Sequence, residues 1–332
     1  MRVLVTGGGG FLGSAVARRL QFRGHSVTSF SRRRYPELEA EGIACAVGDL
    51  ADARAVAEAC SGRDAVVHVA AKVGLGGAYA DFQRSNVVGT ANVIRACQDL
   101  RVPRLVFTSS PSVVFDGQDV EGVDERAPYP RRFDSCYSQT KAVAEEMVLS
   151  ADSPSLATVA IRPHLVWGPG HNHIVSRIVA QGRAGQLRRI IGHNKRVDAT
   201  YIDDAAAAHL LALEKLAPGS PIAGKAYFIS AGDPRPIWEI VDGILKAAGL
   251  PPVSKCVPRP AAQAAAWAME SFYRLARRSD EPRLTRFLVN QLCTAHWFDI
   301  SAARRDLGYK PAVALEDGLE RLRVWLSAGG KL

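Results

Sequence analysis

The chain has 332 residues, 42 Lys and Arg against 33 Asp and Glu, a formal net charge of +9 and 47% hydrophobic residues. That balance suits one large folded α/β domain, or one domain with a smaller appendage, and excludes a disordered chain. The basic residues are scattered in short clusters such as Arg32-Arg33-Arg34, without interleaved aromatics, so nucleic acid is not an expected partner.

Val3-Leu4-Val5 reads as a strand, and a helical pattern runs from Ser14 to Arg23. Between them Gly7, Gly10 and Gly13 fall at the spacing G-x-x-G-x-x-G. Gly7 lets the chain turn, Gly10 lets backbone approach a ligand, and Gly13 lets the helix pack close to the strand. The helix N-terminus then faces the turn, where a pyrophosphate is the usual occupant. Val27 to Phe30 is a second strand, ending at Ser31-Arg32. A carboxylate there would mark NAD; a hydroxyl followed by arginine fits the 2′-phosphate of NADP. Ala44 to Val47 is a third strand, and Asp49 after it is placed either to meet an adenine amino group or to cap a helix from Ala51 to Cys60.

Asp64 to Ala71 is an apolar run of buried parallel-strand type, and its small end, Ala70-Ala71, lets a cofactor lie across it. His68 inside it reads as a packed residue rather than a catalyst. A helix spans Asp81 to Leu100, Arg104 to Ser110 is a strand ending in hydroxyls, and Pro111 to Pro130 reads as loop. A helix opens at Cys136-Tyr137-Ser138-Gln139-Thr140-Lys141, and Thr158 to Arg162 is a further strand. Strands and helices alternate to about residue 165, which is the pattern of a doubly wound parallel (Rossmann) sheet. The expected division is a dinucleotide-binding core over 1–165 and a smaller, mainly substrate-binding unit over 166–332, with some segments returning to the core. In the second part, helices are expected at Ile174 to Arg183, Ala205 to Lys215, Ile237 to Ala248 and Ala261 to Ala276, with a strand at Tyr227 to Ser230. The helix of Trp267, Met269, Phe272 and Tyr273 reads as core or dimer contact, or as a lid or membrane contact. His164 and Asp203 read as loop residues in preference to substrate contacts.

Tyr137 and Lys141 stand four apart at a helix start, on one face. A phenol with a pKa of about 10 is a poor acid or base at neutral pH, and a nearby ammonium would lower that value. A serine hydroxyl from the strand end could hold a substrate oxygen while the tyrosine passes the proton. The set suits metal-free carbonyl reduction or alcohol oxidation.

Thr6-Gly7-x-x-Gly10-x-x-Gly13, Asp49-Leu50, Val67 to Ala71, Asn86-Val87-x-Gly89-Thr90, Thr108-Ser109-Ser110, Tyr137-x-x-x-Lys141, Arg162-Pro163, Trp167 to Gly170 and Tyr201 to Asp204 together resemble the extended short-chain dehydrogenase/reductases. Within that family the chain resembles the 3β-hydroxysteroid dehydrogenase branch. Thr108 to Gly117 and Arg162 to Gly170 are similar to the bacterial 2-alkyl-3-oxoalkanoate reductases of long-chain olefin biosynthesis. The resemblance implies NADPH as cofactor and a long-chain β-keto acid, reduced to the β-hydroxy acid, as substrate. It implies a catalytic set of Ser110, Tyr137 and Lys141. It places the cofactor along Gly7, Gly10, Phe11, Leu12, Gly13, Ser31, Arg32, Asp49, Leu50, Ala70, Ala71, Lys72, Asn86, Thr108, Tyr137, Lys141 and Pro163. A homodimer follows from the resemblance alone. Sterol dehydrogenase (with or without isomerase activity) and nucleotide-sugar epimerase or dehydratase are the alternatives. The six cysteines form no C-x-x-C pair, which points to a cytoplasmic protein without a metal site. No signal peptide or membrane-spanning run is read, which leaves peripheral association with a membrane or with pathway enzymes as the remaining partner expectation.

Overall fold

The computed structural model describes residues 1–74, 76–170, 173–276 and 282–330. Seven parallel strands form the central sheet: β1 (Arg2–Thr6), β2 (Ser26–Ser31), β3 (Ala44–Val47), β4 (Ala65–His68), β5 (Arg104–Thr108), β6 (Ala157–Pro163) and β7 (Lys225–Ile229). Their order is β7-β6-β5-β4-β1-β2-β3. The order reverses between β1 and β4, so a crevice opens at their carboxyl ends, where ligands bind in sheets of this kind. The α-helices of eight residues or more among the described residues are α1 (Phe11–Phe22), α2 (Ala53–Cys60), α3 (Gly89–Asp99), α4 (Cys136–Ser150), α5 (His173–Arg183), α6 (Ile202–Lys215), α7 (Ile237–Ala247), α8 (Arg259–Leu275), α9 (Arg286–Cys293) and α10 (Leu315–Ser327).

Side chains alternate across each strand, and both faces are apolar because both are covered. Val3, Val5, Val27, Val67 and Val106 share a core with Val16 and Leu20 of α1 and Leu210 of α6. Leu4, Phe30, Val66, Leu105 and Phe107 face the other way, onto Val56 of α2, Val93 of α3 and Ala144 of α4. A smaller sheet joins Arg235–Pro236, Arg196–Val197, His296–Phe298 and Val120–Val123 in that order.

Three elements depart from the local pattern. The helix expected over Asp81 to Leu100 is broken by a π-helical segment, Gln83–Val88, between one turn at Tyr79–Phe82 and α3. Segments of this type mark functional sites more often than chance. The expected loop after Ser110 contains a short 3₁₀ turn, Pro111–Val114, and the strand Val120–Val123, which pairs with His296–Phe298 from the far end of the chain. That strand is set by a partner about 175 residues away, which no local pattern can report. Helix α2 starts at Ala53 because the Asp52 carboxylate accepts from the N–H groups of Arg54 and Ala55. Asp52, rather than Asp49, is therefore the cap.

Candidate active site

The turn after β1 is shaped by what its glycines lack. Gly7 has φ +70°, and a Cβ there would lie 2.8 Å from the Ala70 Cα. A Cβ on Gly13 would lie 2.0 Å from the Gly7 carbonyl oxygen. The turn closes through the Gly10 N–H, which donates to that same carbonyl at 2.9 Å. No side chain caps α1, and its first turn holds no acidic residue, so its leading N–H groups, at Phe11 and Leu12, suit an anionic ligand. The Ala70 N–H donates to the Thr6 hydroxyl at 3.2 Å, tying the end of β4 to the end of β1. This glycine cradle fits a dinucleotide pyrophosphate.

At the end of β2 the Ser31 hydroxyl accepts from the Gly9 N–H at 3.3 Å. Arg32 is exposed and has no ion-pair partner among the described residues. Arg33 lies over the Tyr35 ring, and Arg34 pairs with Glu39. The Asp49 carboxylate accepts from the Ala51 N–H at 2.9 Å and pairs with Arg84 at 2.9 Å. Leu50 fits against Gly89, where a Cβ would come within 2.8 Å of its own. The buried Asn86, in the π segment, clamps Lys72 by accepting from its N–H at 2.7 Å and donating to its carbonyl at 3.1 Å. It also donates to Thr140 of α4. Ala71 is half-buried, and Pro163 is buried at the end of β6 opposite Ile229.

Ser110 follows β5 and caps the 3₁₀ turn. Its hydroxyl accepts from the Ser112 N–H at 3.2 Å and stands 3.0 Å from the Ser112 hydroxyl. Helix α4 begins at the N-cap Ser135, which puts Tyr137 in its first turn and Lys141 one turn later. The Lys141 ammonium is buried; it donates to the Thr108 carbonyl at 2.6 Å and lies 3.9 Å from the centre of the Phe107 ring. Burial lowers its pKa to about 7, and the Glu145 charge works against that fall. The Thr108 hydroxyl faces His209 Nε2 at 2.8 Å, so both polar groups of Thr108 are used inside the protein. Burial raises the Tyr137 pKa, and a side-chain interaction with Ser110 pulls the other way. This reverses the direction expected from the Tyr–Lys spacing. The ammonium is turned to the Thr108 carbonyl, and desolvation outweighs any help it gives the phenolate. The phenol thus holds its proton at neutral pH, the form that can donate to a substrate oxygen.

Beside Ser110 and Tyr137 opens a cavity of about 780 Å³. Most of its walls come from the second half of the chain, with Ile178, Trp238, Ile244, Met269, Phe287 and Leu292 among them. Among the described residues that line it there are three arginines, Arg177, Arg188 and Arg283, and no carboxylate.

Residues 4–259 match the model of the 3-beta hydroxysteroid dehydrogenase/isomerase family. The chain belongs to that family. It is 49% identical over 326 residues to a 2-alkyl-3-oxoalkanoate reductase of Stenotrophomonas maltophilia, covering 98% of this chain and 99% of the relative. A protein of the same name from Shewanella oneidensis is 46% identical over 330 residues, covering 97% and 85%. The crystal structure of a UDP-glucuronic acid 4-epimerase from Bacillus cereus in complex with NAD shares the fold, with a TM-score of 0.77 at 21% identity over 100% of both chains. The protein is thus an NAD(P)-dependent oxidoreductase built on a Rossmann sheet.

Around the family's site lie groups that the sequence reading passed over. Ser112 places a second hydroxyl in the cavity. Glu145 continues the Tyr137–Lys141 face by one more turn. It accepts from Arg162 Nε at 2.9 Å, from Arg162 Nη2 at 2.5 Å and from the Tyr129 hydroxyl at 2.6 Å. Its spacing of four from Lys141 and the Arg162-Pro163 motif were the available signals. His164 lines the cavity, with Nε2 at 3.1 Å from His296 Nδ1. Burial, and then the neighbouring His296, hold its pKa well below the ordinary value. His68 is packed as expected. It lies 2.6 Å from the Thr6 hydroxyl and 3.0 Å from the Thr90 hydroxyl, and burial keeps it neutral with a pKa of about 3. Asp203 forms an exposed ion pair with Arg321 at 3.3 Å.

Proposed function

We propose that the protein reduces a long-chain 2-alkyl-3-oxo acid to the 2-alkyl-3-hydroxy acid with NADPH, as a step of long-chain olefin formation, and that it works in the cytoplasm as a homodimer. The observation that carries this reading is the cavity: large, apolar, rimmed by three arginines and free of carboxylates among its described lining residues. An anionic substrate with alkyl chains needs such a lining, whereas a nucleotide sugar needs hydrogen-bonding groups throughout. The names of the two bacterial relatives agree with it.

Bound in the glycine cradle, the reduced nicotinamide would supply the hydride. Gly7, Gly10, Gly13, Phe11 and Leu12 hold the pyrophosphate, and Ala70, Ala71 and Pro163 border the cofactor across the strand ends. Ser31 and Arg32 take the 2′-phosphate, with no acidic residue before Glu37 to compete. Ser110 orients the 3-oxo oxygen, helped by Ser112. Tyr137 donates the proton to that oxygen. Lys141, fixed on the Thr108 carbonyl, stabilises the phenolate left behind. Asn86 keeps Lys72 and the start of α4 in register.

A second reading, oxidation of a 3β-hydroxysteroid, is favoured by the description of the matching family. It uses the same catalytic residues but offers no anion to the cavity arginines, which the protein already holds on backbone carbonyls and on Gln186. One assay separates the two: oxidation of NADPH, and separately of NADH, with a long-chain 2-alkyl-3-oxo acid, beside NAD(P)⁺ reduction with a 3β-hydroxysteroid. Turnover of the keto acid with NADPH supports the proposal; turnover of the steroid alone replaces it.

A further inference from the structure

The chain kinks at Leu165. Strand β6 ends at Pro163, and the His164 N–H donates to the Ile229 carbonyl of β7 at 2.9 Å. Two residues on, Val166–Trp167 pairs with Thr200–Tyr201 in a separate two-stranded sheet. Between the two sheets Leu165 has φ +41°, in the left-handed region that favours glycine. Gly168 and Gly170 of the same loop also have positive φ, +148° and +115°, and there the residue is glycine. The kink is held by backbone contacts. Thr200 donates from its hydroxyl to the His164 carbonyl at 2.6 Å and from its N–H to the Leu165 carbonyl at 3.3 Å. A glycine at 165 would make the same contacts without strain, so the backbone gives no reason for a leucine. The reason lies in the side chain. It is half-buried and packs against the cluster of Trp167 and Tyr201 and against that of Trp238 and Val241. It also lines the cavity together with Ser110 and Tyr137.

We propose that Leu165 is a specificity-determining residue whose side chain packs on the alkyl branch beside the reacting carbonyl of the substrate. Backbone strain of this kind clusters where function needs a side chain in one place. Position argues for the branch. Leu165 stands two residues past Pro163, assigned above to the border of the cofactor, so the two Cα atoms are within about 7 Å. Hydride reaches the carbonyl carbon from that border. The groups that a 2-alkyl-3-oxo acid presents there sit on the carbons next to the carbonyl, and the 2-alkyl branch is the one a straight-chain acid lacks. The far ends of both chains fall to the walls on α5, α7, α8 and α9. Removing the leucine takes an apolar wall from the branch and leaves those distant walls intact. The identity of the branch rests on the keto-acid reading above.

The test is isothermal titration calorimetry of the full chain, saturated with NADP⁺ and separately with NAD⁺, using two isomeric acids. One is 2-hexyldecanoic acid, branched beside its carboxyl group; the other is hexadecanoic acid, unbranched. As isomers they offer similar apolar surface, so the ratio of their affinities isolates the branch. Leu165→Gly should weaken the branched acid about tenfold and the straight one less than about threefold. Leu165→Ala should shift the ratio in the same direction. It keeps a Cβ at positive φ, so it should melt below Leu165→Gly although it removes less of the side chain. An unchanged ratio in both variants overturns the proposal, as does an equal loss for both acids, which is the mark of a purely structural side chain. Leu165→Ala melting at or above Leu165→Gly would remove the strain on which the assignment stands. Failure of the wild type to bind either acid would overturn the keto-acid reading and this proposal with it; an unchanged ratio in variants that still bind would overturn this proposal alone.

Discussion

Replacing Glu145 with glutamine keeps the shape of a buried side chain and removes its charge. Glu145 is 0% exposed and Arg162 3%, and two hydrogen bonds join them, at 2.9 and 2.5 Å. The substitution leaves a guanidinium buried without a counter-charge, which costs about 3–5 kcal/mol. In a chain of this size that is a fall of about 4–7 °C in melting temperature. The Arg162 and Tyr129 hydrogen bonds hold the Glu145 pKa below the carboxylate range despite burial, so its stabilising effect is full above about pH 4.3. The melting gap between wild type and variant should therefore narrow as pH falls through the folded value. A second effect reaches the site. Glu145 supports the charge on Lys141, so without it Lys141 loses its proton at lower pH. The alkaline limb of the kcat/KM profile should move to lower pH. Scanning fluorimetry and a pH series on one preparation read both effects. A variant melting within about 1 °C of wild type would refute the buried-pair argument, and an unmoved alkaline limb would refute the coupling to Lys141.

Tyr137→Phe should bind NADPH as wild type and lose about 10²–10⁴-fold in kcat, the usual contribution of a general acid; near-normal turnover would remove the proton-donor role. Arg32→Ala should weaken NADPH by roughly 10–100-fold, the loss of one charge-assisted contact, and leave NADH nearly unchanged; equal weakening in titrations of both would detach that loop from the 2′-phosphate. Lys141→Met should be inactive yet no less stable at neutral pH. The folded pKa of about 7 lies below the ordinary value near about 10.4, so wild-type stability should rise with pH across that window, and the variant should lose the rise.

The sheet was legible because each strand announces itself twice, by an apolar run and by the turn chemistry after it. Val3 to Val5 before the glycines and Ala65 to His68 before Ala70 are such cases. The Tyr137–Lys141 pair was legible because helical spacing is local. The direction of the Tyr137 pKa was not, because burial raises it, and burial is set by tertiary packing that no local spacing reports. Asn86 could be named but its task could not: the π segment that turns it toward Lys72 leaves no trace in a 3.6-residue period. The strand at Val120–Val123 and the cavity walls were unreadable for one reason. Both are made of residues that acquire meaning only beside partners from the other half of the chain.

The residues proposed to carry the chemistry and those proposed to carry selectivity come mostly from different halves of the chain. Gly7 to Gly13, Ser110, Tyr137 and Lys141 are held by strand ends and by α1 and α4. The fold is shared with a UDP-glucuronic acid 4-epimerase at 21% identity, and a fold alone does not decide the substrate. The cavity is lined mostly by segments after residue 160, on α5, α7, α8 and α9, and these present apolar side chains with a few guanidinium groups. Changing what the enzyme accepts should therefore need substitutions at positions such as Trp238 or Met269, and should leave the proposed proton donor Tyr137 and its neighbour Lys141 as they stand.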